Sequence, residues 1–454
     1  MIEAGFPASS IDEKETVRTI ASETTGAKIC GLARSIRTDV DTCIDCGVDM
    51  VHVFIPTSEV QRTHTIKKSH AEVVAITSDI VGYTRDHIGE VMFSAMDATR
   101  TAPGDLIEVY RAAVDAGATI INVPDTVGIA TPTSMHHLVR FIDGNIACPI
   151  DIHCHNDFGM AVANTVTSAE AGASQVQVTV NGIGERAGNA DLAQTVMSLA
   201  SIFGMDTGIV TERLVETSRM VSRYSGISIS PVQPVVGDNA FAHESGIHSQ
   251  GVLSESSTFE PGIMTPEMVG HRRRLKLGKH VGRHAVSQML SEAHITASPG
   301  ELDDIVMRIK EIANKGHKVT EHDLYEIAET AIGQSAIEKS IILDDIAILT
   351  GNHVLATATV KANVDGAERV CCSTGNGPVD AAMNALLGIV PRTMQLKEYS
   401  VSAISGGSDA IGHVTIAVED EKGRIYDASA SSDNIVLASV DAMINALNLV
   451  FRTR

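Results

Sequence analysis

Tryptophan is absent from this 454-residue chain, and aromatic residues make up only 3% of it. Stacking platforms for nucleic-acid bases are therefore not expected. Basic residues are in deficit, with 35 Lys and Arg against 56 Asp and Glu, a formal charge of −21 with His neutral. A general nucleic-acid groove needs a basic stripe, and this balance opposes one. The one dense basic run, His271-Arg272-Arg273-Arg274-Leu275-Lys276, is local and suits a single anionic ligand. No stretch reaches the roughly 18 apolar residues of a membrane span. The opening Met1-Ile2-Glu3-Ala4-Gly5 has neither a basic n-region nor an apolar run, so no leader is expected. The seven cysteines are odd in number and scattered, unlike a secreted disulfide framework, and a reducing cytoplasm is the simplest reading. What is present is 44% hydrophobic and 20% charged residues, enough to bury a sizeable core. The length suggests about three domains.

The first 200 or so residues alternate short apolar runs with helix-like segments. The runs are Ile2–Pro7, Lys28–Arg34, Met50–Pro56, Glu90–Asp97, Thr119–Thr126, Pro149–Asp157 and Ser174–Gly184. Strands alternating with helices imply a parallel sheet. Their short, regular spacing suits a TIM-type (β/α)8 barrel better than an open sheet, although periodicity alone does not decide it. Seven strands are counted where a barrel needs eight, so a strand before the first run is the one expected to be missing. Polar residues gather at the C-terminal ends of the runs, the face where a barrel keeps its active site. Three regions are expected: a barrel over 1–204, helical linker or lid subdomains over 205–338, and an α+β domain over 339–454. In the last, Val379-Asp380-Ala381 with Asn384-Ala385-Leu386 recurs as Val440-Asp441-Ala442 with Asn445-Ala446-Leu447, marking a duplicated βββα unit.

Three constellations carry chemistry. In His153-Cys154-His155-Asn156-Asp157, two His at i and i+2 on a strand point to one side and can reach one metal. The alternative is two histidines on a half-buried strand. In Asn181-Gly182-Ile183-Gly184-Glu185-Arg186-Ala187-Gly188-Asn189, three glycines allow close backbone approach to a ligand. The alternative is a flexible βα loop with solvated charges. In Phe241-Ala242-His243-Glu244-Ser245-Gly246-Ile247-His248, two His and a Glu offer a general acid or base, or are simply core and surface histidines. Cys43-Ile44-Asp45-Cys46 has no second pair at zinc-site spacing and reads as small core residues on a helix.

Together with Glu3-Ala4-Gly5-Phe6-Pro7, His52 to Ser58, Asn122 to Gly128 and Gly237 to His243, these motifs run co-linearly from end to end. In that order they resemble the 2-isopropylmalate synthase family, whose wider group includes citramalate and homocitrate synthases. The resemblance implies a Claisen condensation of acetyl-CoA with a 2-oxo acid held by a divalent cation, Mn²⁺, Mg²⁺ or Zn²⁺. It implies His153 and His155 as metal ligands with Asn189 in or near the metal shell. It implies Glu185 and His248 as proton-moving or water-activating groups, Thr126 on the 2-oxo acid carboxylate, and Arg34 and His52 along the substrate pocket. It also implies a leucine-sensing C-terminal domain and a homodimer in which the helical region crosses to the partner's barrel mouth.

The chain departs from the family pattern in three places. The family's first strand ends in D-T-T-L-R-D-G-x-Q, supplying an Asp metal ligand and a catalytic Arg, and this sequence begins after that motif. A start codon further upstream, a true truncation and an inactive relative are the three explanations. Met96 stands where the family usually has Glu, and Phe259 where relatives often have Tyr. The motif variants favour 2-oxoisovalerate as the 2-oxo acid. Pyruvate, giving citramalate, is the alternative, since two methyl groups are worth only a few kcal/mol. A catalytically inactive chain that binds leucine or a partner subunit through 340–454 is the reading from another class.

Overall fold

The computed structural model describes residues 1–243, 258, 262–293, 295–314, 319–332, 340–390, 393–403 and 412–452. It contains two packed units, one of residues 1–240 with 263–272 and one of 241–262 with 273–454. The expected divisions at 204 and 338 follow changes of secondary structure, whereas packing divides the chain near 240 and 272.

All seven anticipated strands form in the first unit. They are β1 (Ile2–Gly5), β2 (Ile29–Arg34), β3 (Met50–Pro56), β4 (Glu90–Met96), β5 (Ile120–Asp125), β6 (Ile150–Cys154) and β7 (Gln175–Gln177), parallel and in sequential order. Helices α1 (Ile11–Glu23), α2 (Arg37–Asp45), α3 (His70–His87), α4 (Pro103–Asp115), α5 (Pro132–Asp143), α6 (Ala161–Glu170) and α7 (Leu192–Ser201) alternate with them, and α8 (Leu214–Ser225) follows. Pro103 and Pro132 begin α4 and α5, where a missing N–H costs nothing. The sheet curls. Gln177 Nε2 on β7 lies 3.5 Å from the Met92 sulfur on β4. Three flat strand spacings of about 4.8 Å would separate those backbones by roughly 14 Å. The result is the TIM-barrel wall expected from the sequence, with seven strands and an open edge at β1 and β7.

Alternation along each strand sorts the side chains. Val51, Val53, Ile55, Val91, Phe93, Ile121, Val123, Ile150 and Ile152 pack outward with Val17, Val40, Val81, Leu106, Met135 and Val139 of the helices. Facing inward, Cys30, Met50, Met92 and Ile120 form a buried apolar floor. Two positions further along, β2 carries Leu32, whereas β3, β4 and β5 carry His52, Ser94 and Asn122, which belong to the site described below. Cys43 on α2 and Cys46 just beyond it are buried core residues, and burial raises the Cys43 thiol to about 12.

β7 is shorter than the run Ser174–Gly184 suggested. The chain leaves the strand after Gln177 and makes a 3-10 turn over Val180–Gly182, where Asn181 and Gly182 take φ of 62° and 66°.

In the second unit, two short strands, β8 (Ala242–His243) and β9 (Arg274–Leu275), pair in parallel. Helices α9 (Arg283–Glu292), α10 (Pro299–Asn314) and α11 (Glu321–Ile332) follow. A capping box opens α10: Ser298 N donates to Glu301 Oε2 and Glu301 N to Ser298 Oγ. Thr320 and Asp323 exchange the same pair of bonds ahead of α11. The duplication is real. β10 (Ile341–Gly351), β11 (Val354–Val364) and β12 (Ala367–Gly375) make an antiparallel sheet followed by α12 (Pro378–Ile389). β13 (Gln395–Ala403), β14 (Gly412–Glu419) and β15 (Ile425–Ser432) make another, followed by α13 (Ile435–Arg452). Alanines at 358, 362, 381, 385, 428, 438, 442 and 446 are all fully buried, allowing close helix–sheet and helix–helix approach. No helix among the described residues is long and apolar enough to cross a membrane.

Asn448 on α13 joins the two repeats. Its side chain accepts from Ile341 N and donates to Ile341 O, both at 2.9 Å, in a buried setting. Asn448→Ala strands both backbone groups of Ile341. The expected cost is about 2–4 kcal/mol, read as a lower urea midpoint of the full chain. An unchanged midpoint would show that water replaces both bonds.

Candidate active site

The inward-facing polar residues form one continuous chain. His52 Nδ1 lies 2.6 Å from Glu3 Oε2, and His52 Nε2 lies 2.8 Å from Ser94 Oγ. Ser94 Oγ donates to Asn122 Oδ1, and Asn122 Nδ2 donates to Asp151 Oδ2 at 2.6 Å. Gln177 Nε2 donates to the same Asp151 oxygen at 2.6 Å, while Gln177 Oε1 lies 2.7 Å from His153 Nδ1. His153 Nε2 then lies 3.3 Å from His155 Nε2. Strand alternation puts all of these on one side, and the curl of the sheet brings distant strands into contact.

The charges follow from this arrangement. Burial alone would lower His52, but the Glu3 charge and hydrogen bond, with the Asp151 charge, outweigh it and hold the imidazole above its ordinary 6.5. Burial alone would raise Glu3, but His52 brings it below 4.5. The two make an ion pair. Burial raises Asp151 to about 6 against the amides that bond it. Burial lowers His153, and burial with the His153 and Arg186 charges lowers His155 to about 4. Both imidazoles are therefore neutral at physiological pH, the state in which a metal is bound.

The Gly-rich loop after β7 is strapped over the ends of β5 and β6. Arg186 donates to both Asp157 oxygens, at 2.7 and 2.8 Å, and to the Thr126 carbonyl at 2.9 Å. Asn156 N donates to Gly188 O, and Asn189 N to Gly182 O. A β-bridge joins His155 to Asn189. Asn181 anchors the loop to α8 by donating to Ser218 O at 2.9 Å. Gly188 has φ +91°, and a Cβ there would run into the Gly182 carbonyl oxygen. The glycine is required by the fold of the loop that carries Asn189.

These residues fit a divalent cation. Two nitrogens each about 2.1 Å from one ion stand roughly 3.0–3.4 Å apart, and the two Nε2 atoms stand 3.3 Å apart. Asn189 Oδ1 is buried and has no hydrogen-bond partner among the described residues, as expected of an oxygen kept for a ligand. Among the described residues no cluster of three His, Cys, Asp or Glu forms, and the candidate donors here are two imidazoles and an amide oxygen.

The other sequence candidates are placed as follows. Thr126 Oγ1 accepts from Asp97 N at 2.8 Å. Asp97, buried at φ 67°, also holds Ser58 and Arg100. Arg34 is bound through Nε and Nη2 to Asp39 and lies over the Phe6 ring. His52 is buried within the polar chain rather than lining an open surface. Glu185 is exposed on the Gly-rich loop. His248 and Phe259 lie outside the described residues. Sequence reading missed Glu3, Ser94, Asn122, Asp151 and Gln177. Their signal was period two: Asp151 precedes His153 by two, and Ser94 precedes Met96 by two.

Two outcomes follow from this geometry. Gly188→Ala is expected to open the 181–189 loop to protease and to weaken Mn²⁺ binding at least about tenfold; equal cleavage and affinity would release Asn189 from the site. The raised His52 value makes its share of stability full below about 6.5 and lost as pH rises through the folded-state value. The lowered Glu3 value makes its share present above about 4.5 and lost as pH falls. The gap in urea midpoint between wild type and His52→Gln should be widest near about pH 5–6 and narrower near about pH 9. A gap independent of pH would show that the pair carries no charge.

Comparison with known proteins agrees with this architecture. The HMGL-like family model matches residues 1–221, the homocitrate synthase post-HMGL domain-like model 235–317, and the LeuA allosteric (dimerisation) domain model 318–451. The chain is 55% identical to the "Probable 2-isopropylmalate synthase" of Methanosarcina acetivorans, over 100% of this chain and 88% of that protein. It is 46% identical to the 2-isopropylmalate synthase of Methanocaldococcus jannaschii, over 100% of this chain and 88% of that one. A Methanopyrus kandleri protein proposed as an (R)-citramalate synthase is more distant, at 42% over 98% of this chain and 88% of its own length. With full-length identity of this order and all three domain models in the same sequence, the chain belongs to the 2-isopropylmalate synthase family of acyltransferases.

Proposed function

We propose that the chain condenses acetyl-CoA with 2-oxoisovalerate to give 2-isopropylmalate and CoA, the first step of leucine biosynthesis. The acetyl methyl loses a proton and its carbon bonds to the keto carbon. The keto oxygen gains a proton, and water cleaves the thioester. The observation that carries the reading is the pair of neutral imidazoles converging at 3.3 Å at the end of β6, beside the unpartnered Asn189 oxygen.

His153, His155 and Asn189 would hold the divalent cation, Mn²⁺, Mg²⁺ or Zn²⁺. When bound, it supplies Lewis-acid polarisation of the 2-oxo carbonyl. Thr126 uses its hydroxyl oxygen as acceptor for Asp97 N, which leaves its proton to donate to the substrate carboxylate. Arg34 spends Nε and Nη2 on Asp39, leaving Nη1 for an anionic substrate group. Its half-exposed side chain is placed to meet solvent-borne ligand. His52, buried and paired with Glu3, is assigned to the floor of the substrate pocket. Glu185 and His248 are assigned to proton movement in the acetyl-CoA half. The match over 318–451 supports leucine as effector and a homodimer as the working form. All seven cysteines are free, in keeping with the cytoplasm as the compartment.

The test is CoA thiol release from acetyl-CoA with Mn²⁺ and either 2-oxoisovalerate or pyruvate. Release with 2-oxoisovalerate is expected, and His153→Gln or His155→Gln should each lower it at least about 100-fold, the worth of several kcal/mol of Lewis-acid stabilisation. Release with pyruvate alone would reassign the chain to citramalate synthesis. Release with neither would overturn the reading.

A further inference from the structure

The polar chain inside the barrel has a direction, and one residue sets it. A carboxylate oxygen only accepts hydrogen bonds, and an amide presents donors on one side and an acceptor on the other. Asp151 Oδ2 lies 2.6 Å from an amide nitrogen of Asn122 and 2.6 Å from one of Gln177. Both amides must therefore turn their NH₂ groups toward Asp151 and their oxygens away from it.

Each oxygen then constrains its next neighbour. Gln177 Oε1, 2.7 Å from His153 Nδ1, can only accept, so the His153 proton sits on Nδ1. In the neutral ring this leaves a lone pair on Nε2, the atom facing His155. On the other arm, Asn122 Oδ1 can only accept from Ser94, so the Ser94 hydroxyl proton is committed there. Ser94 Oγ can then only accept from His52 Nε2 at 2.8 Å. His52 Nδ1 faces the Glu3 carboxylate, another pure acceptor, at 2.6 Å. His52 must carry a proton on both nitrogens.

We propose that Asp151 is a positioning residue for the reaction: through Gln177 it fixes the metal-binding tautomer of His153, and through Asn122 and Ser94 it fixes His52 as a cation. The inference rests on the assignment of His153 as a metal ligand, but the proton order itself needs no metal. Asp151 sits two residues before His153 on the same strand, so alternation puts both on the inner side of the sheet. Neither amide nor hydroxyl has a preferred orientation of its own. Without the carboxylate, Gln177 is free to flip and offer NH₂ to His153, which would favour the proton on Nε2 and block the lone pair.

The test uses the full chain labelled with ¹⁵N-histidine, free of metal, at neutral pH. Long-range ¹H–¹⁵N spectra are assigned with His153→Gln and His52→Gln. The expected result is His153 neutral with its proton on Nδ1 and His52 protonated on both nitrogens. In Asp151→Leu, which removes the acceptor, His153 should lose its single tautomer, and the affinity for Mn²⁺ alone, read by electron paramagnetic resonance of the free ion, should fall about 10–100-fold. Gln177→Leu, useful if Asp151→Leu does not fold, should disturb the His153 arm and leave His52 doubly protonated. Wild-type His153 protonated on Nε2, or a tautomer unmoved in both variants, overturns the proposal. A wild-type chain with the expected tautomers that binds no Mn²⁺ supports the proton order and removes the metal site instead.

Discussion

The barrel wall is organised around a buried carboxylate. An ionised Asp151 deprived of water would cost several kcal/mol on its own. It is tolerated because two amide donors from neighbouring strands converge on one of its oxygens and the His52 cation lies within electrostatic reach. That requirement explains the polar layer above an apolar floor. Cys30, Met50, Met92 and Ile120 close the bottom of the sheet, and two residues further along β3, β4 and β5 the side chains switch to the hydrogen-bonding His52, Ser94 and Asn122. The same alternation that buries valines and isoleucines against the helices places these groups inside.

The precision of the site at the strand ends comes from backbone rather than from side-chain packing. The loop after β7 bends at the left-handed Asn181 and Gly182, and it is then tied to β5 and β6 by Arg186, Asp157 and main-chain bonds. Asn189 is thereby brought beside His155 although 34 residues separate them in sequence. Arg186 itself holds φ 55°, a conformation that its ion pair with Asp157 helps to maintain.

The second unit uses a different device. Two βββα repeats bury alanines where helix meets sheet, so contact is close and shape-dependent, and Asn448 bonds α13 to the first strand of the other repeat. An arrangement in which each repeat depends on the other suits a domain of the allosteric, dimerising class that matches here. Helices α9 to α11 contribute Leu290, Ile305, Ile309 and Leu324 to the same core.

Periodicity and repeated motifs were enough to read the seven strands and the duplication. These are local properties, set by the pleat and by turn geometry within a few residues. The His153–His155 pair was legible for the same reason, since i and i+2 on a strand face one side. The rest was decided by tertiary structure. Glu3 meets His52 across 49 residues and Asn122 meets Asp151 across 29. Nothing local says which inward-facing polar groups will touch. That depends on strand order, stagger and curl, which fix the neighbours and, through the donors and acceptors they present, the positions of the protons.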